Sequence, residues 1–456
     1  MKIKSIRAFP IEITPAQPTA PRVPQLPGDH SFVYPMRRYP EFSKAQTAPG
    51  RGNWTRTACV VTAEDGTWGF GQSLFSAPVT ALINDHLAPM LAGQQIMAIE
   101  KAWDIMQRST SAFGTAGLVS YAISAVDNAL WDLKGKVLDR PVYELLGGPQ
   151  KEKIFCYASC TDMSYGVDNS IDWFLELGFK AVKLFIPHGP EDNLDGLRKN
   201  EELVARTREQ VGEGVEIAVD SWISLDVEYA VRLAEALKPY RIKWLEDPFV
   251  PEDLGSYGQL RQRAPYQTLA TGEHWYSLQP FAFACANGLV DILQPDPQWV
   301  GGVTGVMKIC HLAQAHGVNV IAHAGMNYPY GQHLSYAMPA IQWGERSEGV
   351  SPPGVPLQER VVLPGTPVIE DGYLVPSDGP GFGFEFSLEW LEGKEREWSS
   401  STPSCGTDRG CHPARPPRRD HRLDRWCARW GGSVSPDNAR SRWAPSDGPP
   451  VAGRRG

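Results

Sequence analysis

Between Val215 and Glu345 short apolar runs recur, and each closes on a charged or polar residue. Val215–Val219 ends on Asp220, Ile242–Leu245 on Glu246 and Thr268–Gly272 on Glu273. Val290–Pro295 ends on Asp296, Val318–Ala322 on His323 and Ala340–Gly344 on Glu345. Successive end residues are 26, 27, 23, 27 and 22 positions apart. That is about one strand plus one helix each time, the repeat of a barrel of alternating strands and helices. With two earlier runs, the pattern predicts eight strands, at 154–158, 181–186, 215–220, 242–246, 268–273, 290–296, 318–323 and 340–345. Barrels of this kind carry their chemistry at the C-terminal ends of the strands. Six consecutive strand ends bearing polar or titratable groups therefore read as the wall of one active site.

The flanking sequence has a different rhythm. Residues 1–14 and 56–72 read as strands, the second running from Ala58–Thr62 into a turn at Glu64-Asp65-Gly66. Residues 77–140 read as helical, with Ile123, Val126, Leu130 and Leu133 spaced as one apolar face. Gly147-Gly148-Pro149 closes this part. A helix is expected from Asp226, its N-cap, to Leu237, with Val227, Ala230, Ala234 and Leu237 turned inward. Residues 15–55 are rich in proline and hold His30, Arg37, Arg38, Tyr39 and Arg51. Loops of this length in a compact domain are usually functional, and this one has the content of a lid over a small acid. Residues 361–391 carry a turn signal at Gly379-Pro380-Gly381 and are expected to fold back onto the N-terminal part.

The expected fold class is α/β, a modified TIM barrel with an α+β capping domain. The divisions are 1–149 for the cap with its lid loop, 150–350 for the barrel, 351–397 for the returning segment and 398–456 for a tail. Residues 401–456 contain eleven Arg and no Lys, five Asp and no Glu, and three Cys. That composition fits a basic nucleic-acid-binding tail or an extension with no fold of its own. The abrupt loss of Lys, Glu and apolar period favours a disordered extension.

Composition adds exclusions. A formal net charge of −8 gives no reason to expect nucleic acid or an anionic membrane as partner. No run approaches the ~20 apolar residues of a membrane span, and the N-terminus reads as a strand and not as a signal peptide. Cys59, Cys156, Cys160, Cys285 and Cys310 are scattered without a four-ligand metal pattern, which suits a reducing, cytoplasmic location.

The chemistry is read from the strand ends. Asp220, Glu246 and Glu273 would point into one mouth, where unpaired carboxylates repel. A divalent cation resolves this, and all-oxygen ligation suits Mg²⁺ or Mn²⁺ over Zn²⁺. His323 and Asp296 end neighbouring strands and suit a histidine base oriented by a carboxylate. His274 and Lys183 are candidate donors to a substrate. Glu345 faces the metal across the mouth, as a hydrogen-bonding group or simply a surface acid.

Several stretches resemble the mandelate racemase subgroup of the enolase superfamily. They are Ala129–Lys136, Pro141–Gly148, Gly196–Lys199, Asp220-Ser221-Trp222 and Asp226–Tyr229, then Lys243–Glu246, Gly272-Glu273-His274, Gln294-Pro295-Asp296, Trp299–Gly302 and Ala322-His323-Ala324. The likeness spans residues 1 to about 391 and is greatest to the L-rhamnonate dehydratase group. It implies a cap built from both termini, Mg²⁺ on Asp220, Glu246 and Glu273, and His323 paired with Asp296 as base. It implies loss of an α-proton to an enediolate, then departure of the β-hydroxyl, giving a 2-keto-3-deoxy acid. It also implies a homo-oligomer, and a lid histidine and arginine for the acid sugar, for which His30 and Arg37 are candidates. The subgroup's racemases carry two lysines on the second barrel strand. Here Lys183 stands alone and Phe185 takes the second place, which argues against racemisation. The expected activity is dehydration of L-rhamnonate or a close aldonate. Rival readings are dehydration of a galactonate, fuconate or diacid, and a non-catalytic sugar-acid-binding regulator.

Overall fold

The computed structural model describes residues 1–13, 32–39, 54–159, 167–347, 361 and 363–401. His30, Cys160, most of the lid loop and the Arg-rich tail lie outside these residues.

Three antiparallel strands open the chain, β1 (Ile3–Ile11), β2 (Arg56–Ala63) and β3 (Trp68–Ser73), in the order β1-β2-β3. A hairpin joins β2 to β3, and Gly66 takes φ +93° in its turn. A long helix, Leu118–Leu138, lies on this sheet. The apolar spacing predicts one buried face, yet residues from Val119 to Leu133 are buried on every side. The reason is a second partner. The helix is sandwiched between the sheet and the barrel helix Gly302–Ala315.

Eight parallel strands close the barrel: β4 (Ile154–Ser159), β5 (Ala181–Phe185), β6 (Glu216–Asp220), β7 (Leu245–Glu246), β8 (Leu269–Thr271), β9 (Ile292–Leu293), β10 (Asn319–Ala322) and β11 (Ile341–Arg346). Each pairs with the next in sequence, and β11 pairs with β4 to shut the ring. The last strand, β12 (Tyr373–Leu374), runs antiparallel against the start of β4. On the helix Val227–Leu237, Asp226 is the N-cap, its carboxylate accepting from the Tyr229 N–H at 2.8 Å. Its buried face includes Tyr229 and Leu233, while Val227 is only half-buried.

The polar residues of the long helix fix the loop that follows Asp296. Asn128 Nδ2 donates to the Pro297 carbonyl at 2.9 Å, and the Gly301 N–H donates to Ser124 Oγ at 2.8 Å. Asp127 accepts from the Thr304 N–H at 2.9 Å, capping the barrel helix, and Trp103 Nε1 donates to the Gly301 carbonyl at 2.8 Å. Burial pushes the Asp127 carboxyl up to about 7. After β12 the chain returns to the sheet. Asp132 accepts from the Phe382 N–H at 3.0 Å and the Phe70 N–H at 2.8 Å, and Phe384 and Phe386 pack on the Phe70 ring. A helix, Leu388–Ser401, follows, and Glu395 meets Arg7 on β1 at 2.6 Å. This helix crosses the boundary expected at 398, because its turns continue past the point where the composition changes. Among the described residues, no helix is long and apolar enough to cross a membrane.

Candidate active site

The barrel interior is closed by an apolar plug of Tyr157, Ala181, Ala218, Trp244, Ala270, Ile292 and Ile321, with Phe155 and Trp343 against it. Side chains alternate along a strand, so a step of two residues stays inside the barrel. That step leads from the plug to Ser159, Lys183, Asp220, Glu246, Gly272, Gln294, His323 and Glu345. The polar ring above the plug is therefore a consequence of strand period and parallel register, in which Phe185 pairs with Asp220 and Asp220 with Glu246. Glu273 breaks the alternation. Gly272 adopts φ +129°, and a Cβ there would come 2.9 Å from the Phe281 ring. This glycine lets the chain turn and brings Glu273 to the mouth.

Asp220, Glu246 and Glu273 are buried, and each offers a carboxylate oxygen within 4.8 Å of the others. Trp244 Nε1 donates to Glu246 Oε2 at 2.7 Å. Lys183 Nζ sits among the acids, 3.0 Å from Asp220 Oδ2 and 2.8 Å from Glu345 Oε1, and it also donates to Glu246. Burial pushes the carboxyls of Asp220 and Glu246 up, against the pull of Lys183, and that of Glu273 up, against the pull of His323. Burial opposes the Lys183 charge, but Glu246, Glu345 and Asp220 outweigh it and hold the ammonium well above its usual range. Lys183, a candidate substrate donor by sequence, has its ammonium engaged by these three carboxylates. Glu345 is no surface acid. It is fully buried, and its Oε2 accepts from the Ala324 N–H at 2.8 Å.

His323 Nδ1 lies 2.7 Å from Asp296 Oδ2, and its Nε2 faces Glu273 Oε2 at 3.2 Å. The other oxygen of Asp296 accepts from the Gln298 N–H at 2.6 Å, so both ends of this carboxylate are fixed. Burial disfavours a charged His323, but Glu273, the Asp296 hydrogen bond and Glu345 prevail and raise it to about 9. A second pair stands beside the first. His274 Nδ1 lies 2.9 Å from Asp247 Oδ2, and Thr271 donates to the other Asp247 oxygen. Burial raises Asp247, yet His274, Thr271 and Lys183 outweigh it and hold the carboxyl low. The Trp299 ring lies 4.7 Å from His323 and 5.9 Å from His274. The strand-end pattern missed Asp247, Gln294 and the two tryptophans Trp222 and Trp299 as site residues. The available signals were the acidic doublet Glu246-Asp247 and the aromatic residues just beyond two strand ends.

Residues just past the strand ends are strained. Trp222, Ile223, Asp247 and Ala324 take φ +39°, +55°, +42° and +49°. Such left-handed backbone costs roughly 1–3 kcal/mol per residue and persists where surrounding bonds dictate it. Here the Trp222 N–H binds Asp220 Oδ1 at 2.9 Å, and the Ile223 N–H binds the Asp247 carbonyl at 2.6 Å.

The base of the lid loop reaches the mouth. The Val33 N–H binds the Ile186 carbonyl at 2.8 Å, and Arg37 donates to the Pro187 carbonyl. Arg37 is thus placed beyond β5. Its one hydrogen bond among the described residues goes to that backbone carbonyl and not to the carboxylates or histidines.

The donor set fits Mg²⁺. It offers three buried carboxylates, a hard all-oxygen set, with oxygens within 4.8 Å of one another.

Two family descriptions match the sequence. The mandelate racemase/muconate lactonizing enzyme N-terminal domain matches residues 46–147, and the enolase C-terminal domain-like family matches residues 169–390. The chain is similar to the L-rhamnonate dehydratase of Saccharopolyspora erythraea, with 37% identity over 394 residues, 85% of this chain and 97% of that one. It is similar in structure to the Mg-complexed rhamnonate dehydratase of Gibberella zeae, with a TM-score of 0.75 and 30% identity over 88% of this chain and 98% of that one. It is also similar to the 3,6-anhydro-D-galactonate cycloisomerase of Zobellia galactanivorans, with a TM-score of 0.67 and 25% identity over 86% and 99% of the two chains. Barrel, cap, carboxylate nest and relatives agree: the chain belongs to the mandelate racemase/muconate lactonizing enzyme family of the enolase superfamily.

Proposed function

We propose that this protein is a Mg²⁺-dependent hydro-lyase that dehydrates an acid sugar, an aldonate of the L-rhamnonate type, to a 2-keto-3-deoxy acid. The observation that carries the reading is the His323–Asp296 pair, closed at 2.7 Å and facing Glu273 of the carboxylate nest. Relatives named as L-rhamnonate dehydratases support the substrate class.

Asp220, Glu246 and Glu273 would hold the cation. Once bound, it supplies positive charge at the substrate carboxylate, where negative charge grows as the α-proton leaves. With a cation on Glu273, the carboxylate that does most to keep His323 charged would be neutralised; Asp296 then holds the Nδ1 proton, which leaves Nε2 as the acceptor for the substrate α-proton. The C2–H pair moves into the C2–C3 region as the C3–O bond breaks. The proton on Nε2 then passes to the departing hydroxyl, which leaves as water. The enol left behind becomes the ketone at C2. Lys183 supplies counter-charge to the nest, and Phe185 leaves the opposite side without a second base. His274, aligned by Asp247, is a donor toward the substrate hydroxyls, and Glu345 fixes the Lys183 ammonium.

The test is a screen of aldonates and aldarates with Mg²⁺, reading 2-keto product with semicarbazide. Turnover of L-rhamnonate or an epimer is expected. Absence of product from every acid sugar, with binding retained, would replace this reading with the regulator.

A further inference from the structure

The turn that carries Asp296 is held from outside the barrel. One oxygen of the buried Asp296 carboxylate meets His323, and the other accepts from the Gln298 N–H at 2.6 Å. The Asp296 backbone carbonyl accepts from the Trp299 and Val300 N–H groups, both at 2.9 Å. The direction of the carboxylate therefore follows the course of residues 297–300. Three successive carbonyls of that turn take bonds from side chains of the cap. Pro297 is bound by Asn128 Nδ2 at 2.9 Å, Gln298 by Ser73 Oγ at 2.6 Å and Trp299 by Ser120 Oγ. The Trp299 ring in turn lies 4.7 Å from His323.

Asn128 grips both ends of the turn. Its Nδ2 donates to Pro297, the neighbour of Asp296, and its Oδ1 accepts from the Val303 N–H at 3.1 Å. A carboxamide carries a donor and an acceptor on one planar group, and the two partners here fix which way round it lies. The side chain is fully buried, so bulk water cannot replace either bond. We propose that Asn128 is a positioning residue for the base: it sets the turn that aims the Asp296 carboxylate at His323 Nδ1, and so ties the cap to the proton-transfer step. The inference rests on the acid-sugar dehydratase reading and adds a residue of the cap to it. A displacement of about 1 Å at a reacting group can cost on the order of 10²-fold in rate. The metal nest stands at the ends of β6, β7 and β8, so cation binding should not sense the change.

The test uses the full chain with Mg²⁺ and the acid sugar that the unmutated protein turns over fastest. Asn128→Asp keeps the size and the acceptor for Val303 but sets an oxygen against the Pro297 carbonyl. Its kcat, and its exchange of the substrate α-proton with D₂O, should fall by about 10- to 100-fold, the usual cost of losing an outer hydrogen-bond partner. Its KM and Mg²⁺ affinity should stay within about threefold. Asp132→Asn is the comparison, because Asp132 lies on the same helix but binds the N–H groups of Phe70 and Phe382. It should lower the melting temperature and leave kcat within about threefold. Where Asn128→Asp does not fold, Ser124→Ala carries the same test. It removes the acceptor of the Gly301 and Gly302 N–H groups, and kcat should fall at constant KM. The inference is overturned if Asn128→Asp folds and keeps kcat, or if Ser124→Ala does so in its place. It is also overturned if Asp132→Asn loses kcat as much, since general loosening of the cap would then explain the effect. No turnover by the unmutated protein would strike the dehydratase reading itself, and the inference with it.

Discussion

The ammonium of Lys183 lies 2.8 Å from Glu345 Oε1, tying the second barrel strand to the last across the mouth. Neither residue touches solvent appreciably. A buried cation among three acids is a counter-charge, and removing one partner of a buried pair costs roughly 3–5 kcal/mol. Lys183→Met should therefore lower the melting temperature markedly without added metal. Mg²⁺ should restore more of the loss than it adds to the unmutated protein, since the cation replaces the missing charge. Equal stabilisation of both proteins by Mg²⁺ in a melting experiment would contradict this role.

The cap depends on a close approach of backbones. At Gly71 on β3, an added Cβ would lie 2.0 Å from the Ala125 carbonyl oxygen of the long helix. Backbone cannot swing aside as a side chain can. Gly71→Ala should destabilise the protein by about 3 kcal/mol or more, the upper range for overpacking, as measured by urea denaturation. A loss under about 1 kcal/mol would mean that helix and sheet separate easily.

His333 is buried, and its Nδ1 accepts from the Tyr143 N–H at 3.1 Å. Burial lowers it from 6.5 to about 3. The unfolded chain takes up this proton near pH 6.5 and the folded chain only near 3, so the folded state binds fewer protons in between. Its contribution is full above pH 6.5 and declines as pH falls, by up to about 1.4 kcal/mol per unit. His333→Gln should flatten the stability profile between pH 6 and 4. An unchanged slope would assign acid sensitivity to other groups.

How much of this was legible in the sequence follows from what strand period can carry. Asp220, Glu246, Asp296, His323 and Glu345 were readable because each ends an apolar run, and alternation then fixes the side of the barrel it faces. The environment of a strand-end residue was not readable. Lys183 looked like a donor in isolation, and only the closed ring brings Asp220, Glu246 and Glu345 around it. Asp247 was hidden because it follows Glu246, where alternation sends a side chain outward. A left-handed turn at Asp247 itself, φ +42°, accompanies its different course. The all-round burial of Val119 to Leu133 was also invisible, since the Ser, Asp and Asn residues there look like a solvent face until the loop after Asp296 claims them.

The metal assignment makes a direct prediction. Glu246 touches Lys183 and Trp244 and belongs to the proposed ligand set. Glu246→Gln keeps the shape and removes the charge. Calorimetry should show Mg²⁺ affinity reduced by about tenfold or more, and turnover should be abolished. Unchanged affinity would exclude Glu246 as a ligand.

The base assignment separates an enzyme from a binding protein. The α-proton of a carboxylate is very weakly acidic, and a positioned base contributes roughly 10²–10⁴-fold to its removal. His323 has the needed geometry, with Asp296 on Nδ1 at 2.7 Å and Nε2 turned to the mouth. Lys183 has not, because its ammonium is held by Asp220, Glu246 and Glu345. His323→Asn should bind Mg²⁺ and aldonate nearly normally and lose dehydration by at least about two orders of magnitude. It should also lose exchange of the substrate α-proton with D₂O, the step assigned to that nitrogen. Asp296→Asn should be impaired less, since it aligns the ring without receiving the proton. If His323→Asn exchanges the α-proton at the unmutated rate, the base lies elsewhere. Lys183 would then have to leave its carboxylate partners to act, and Lys183→Met would abolish the exchange.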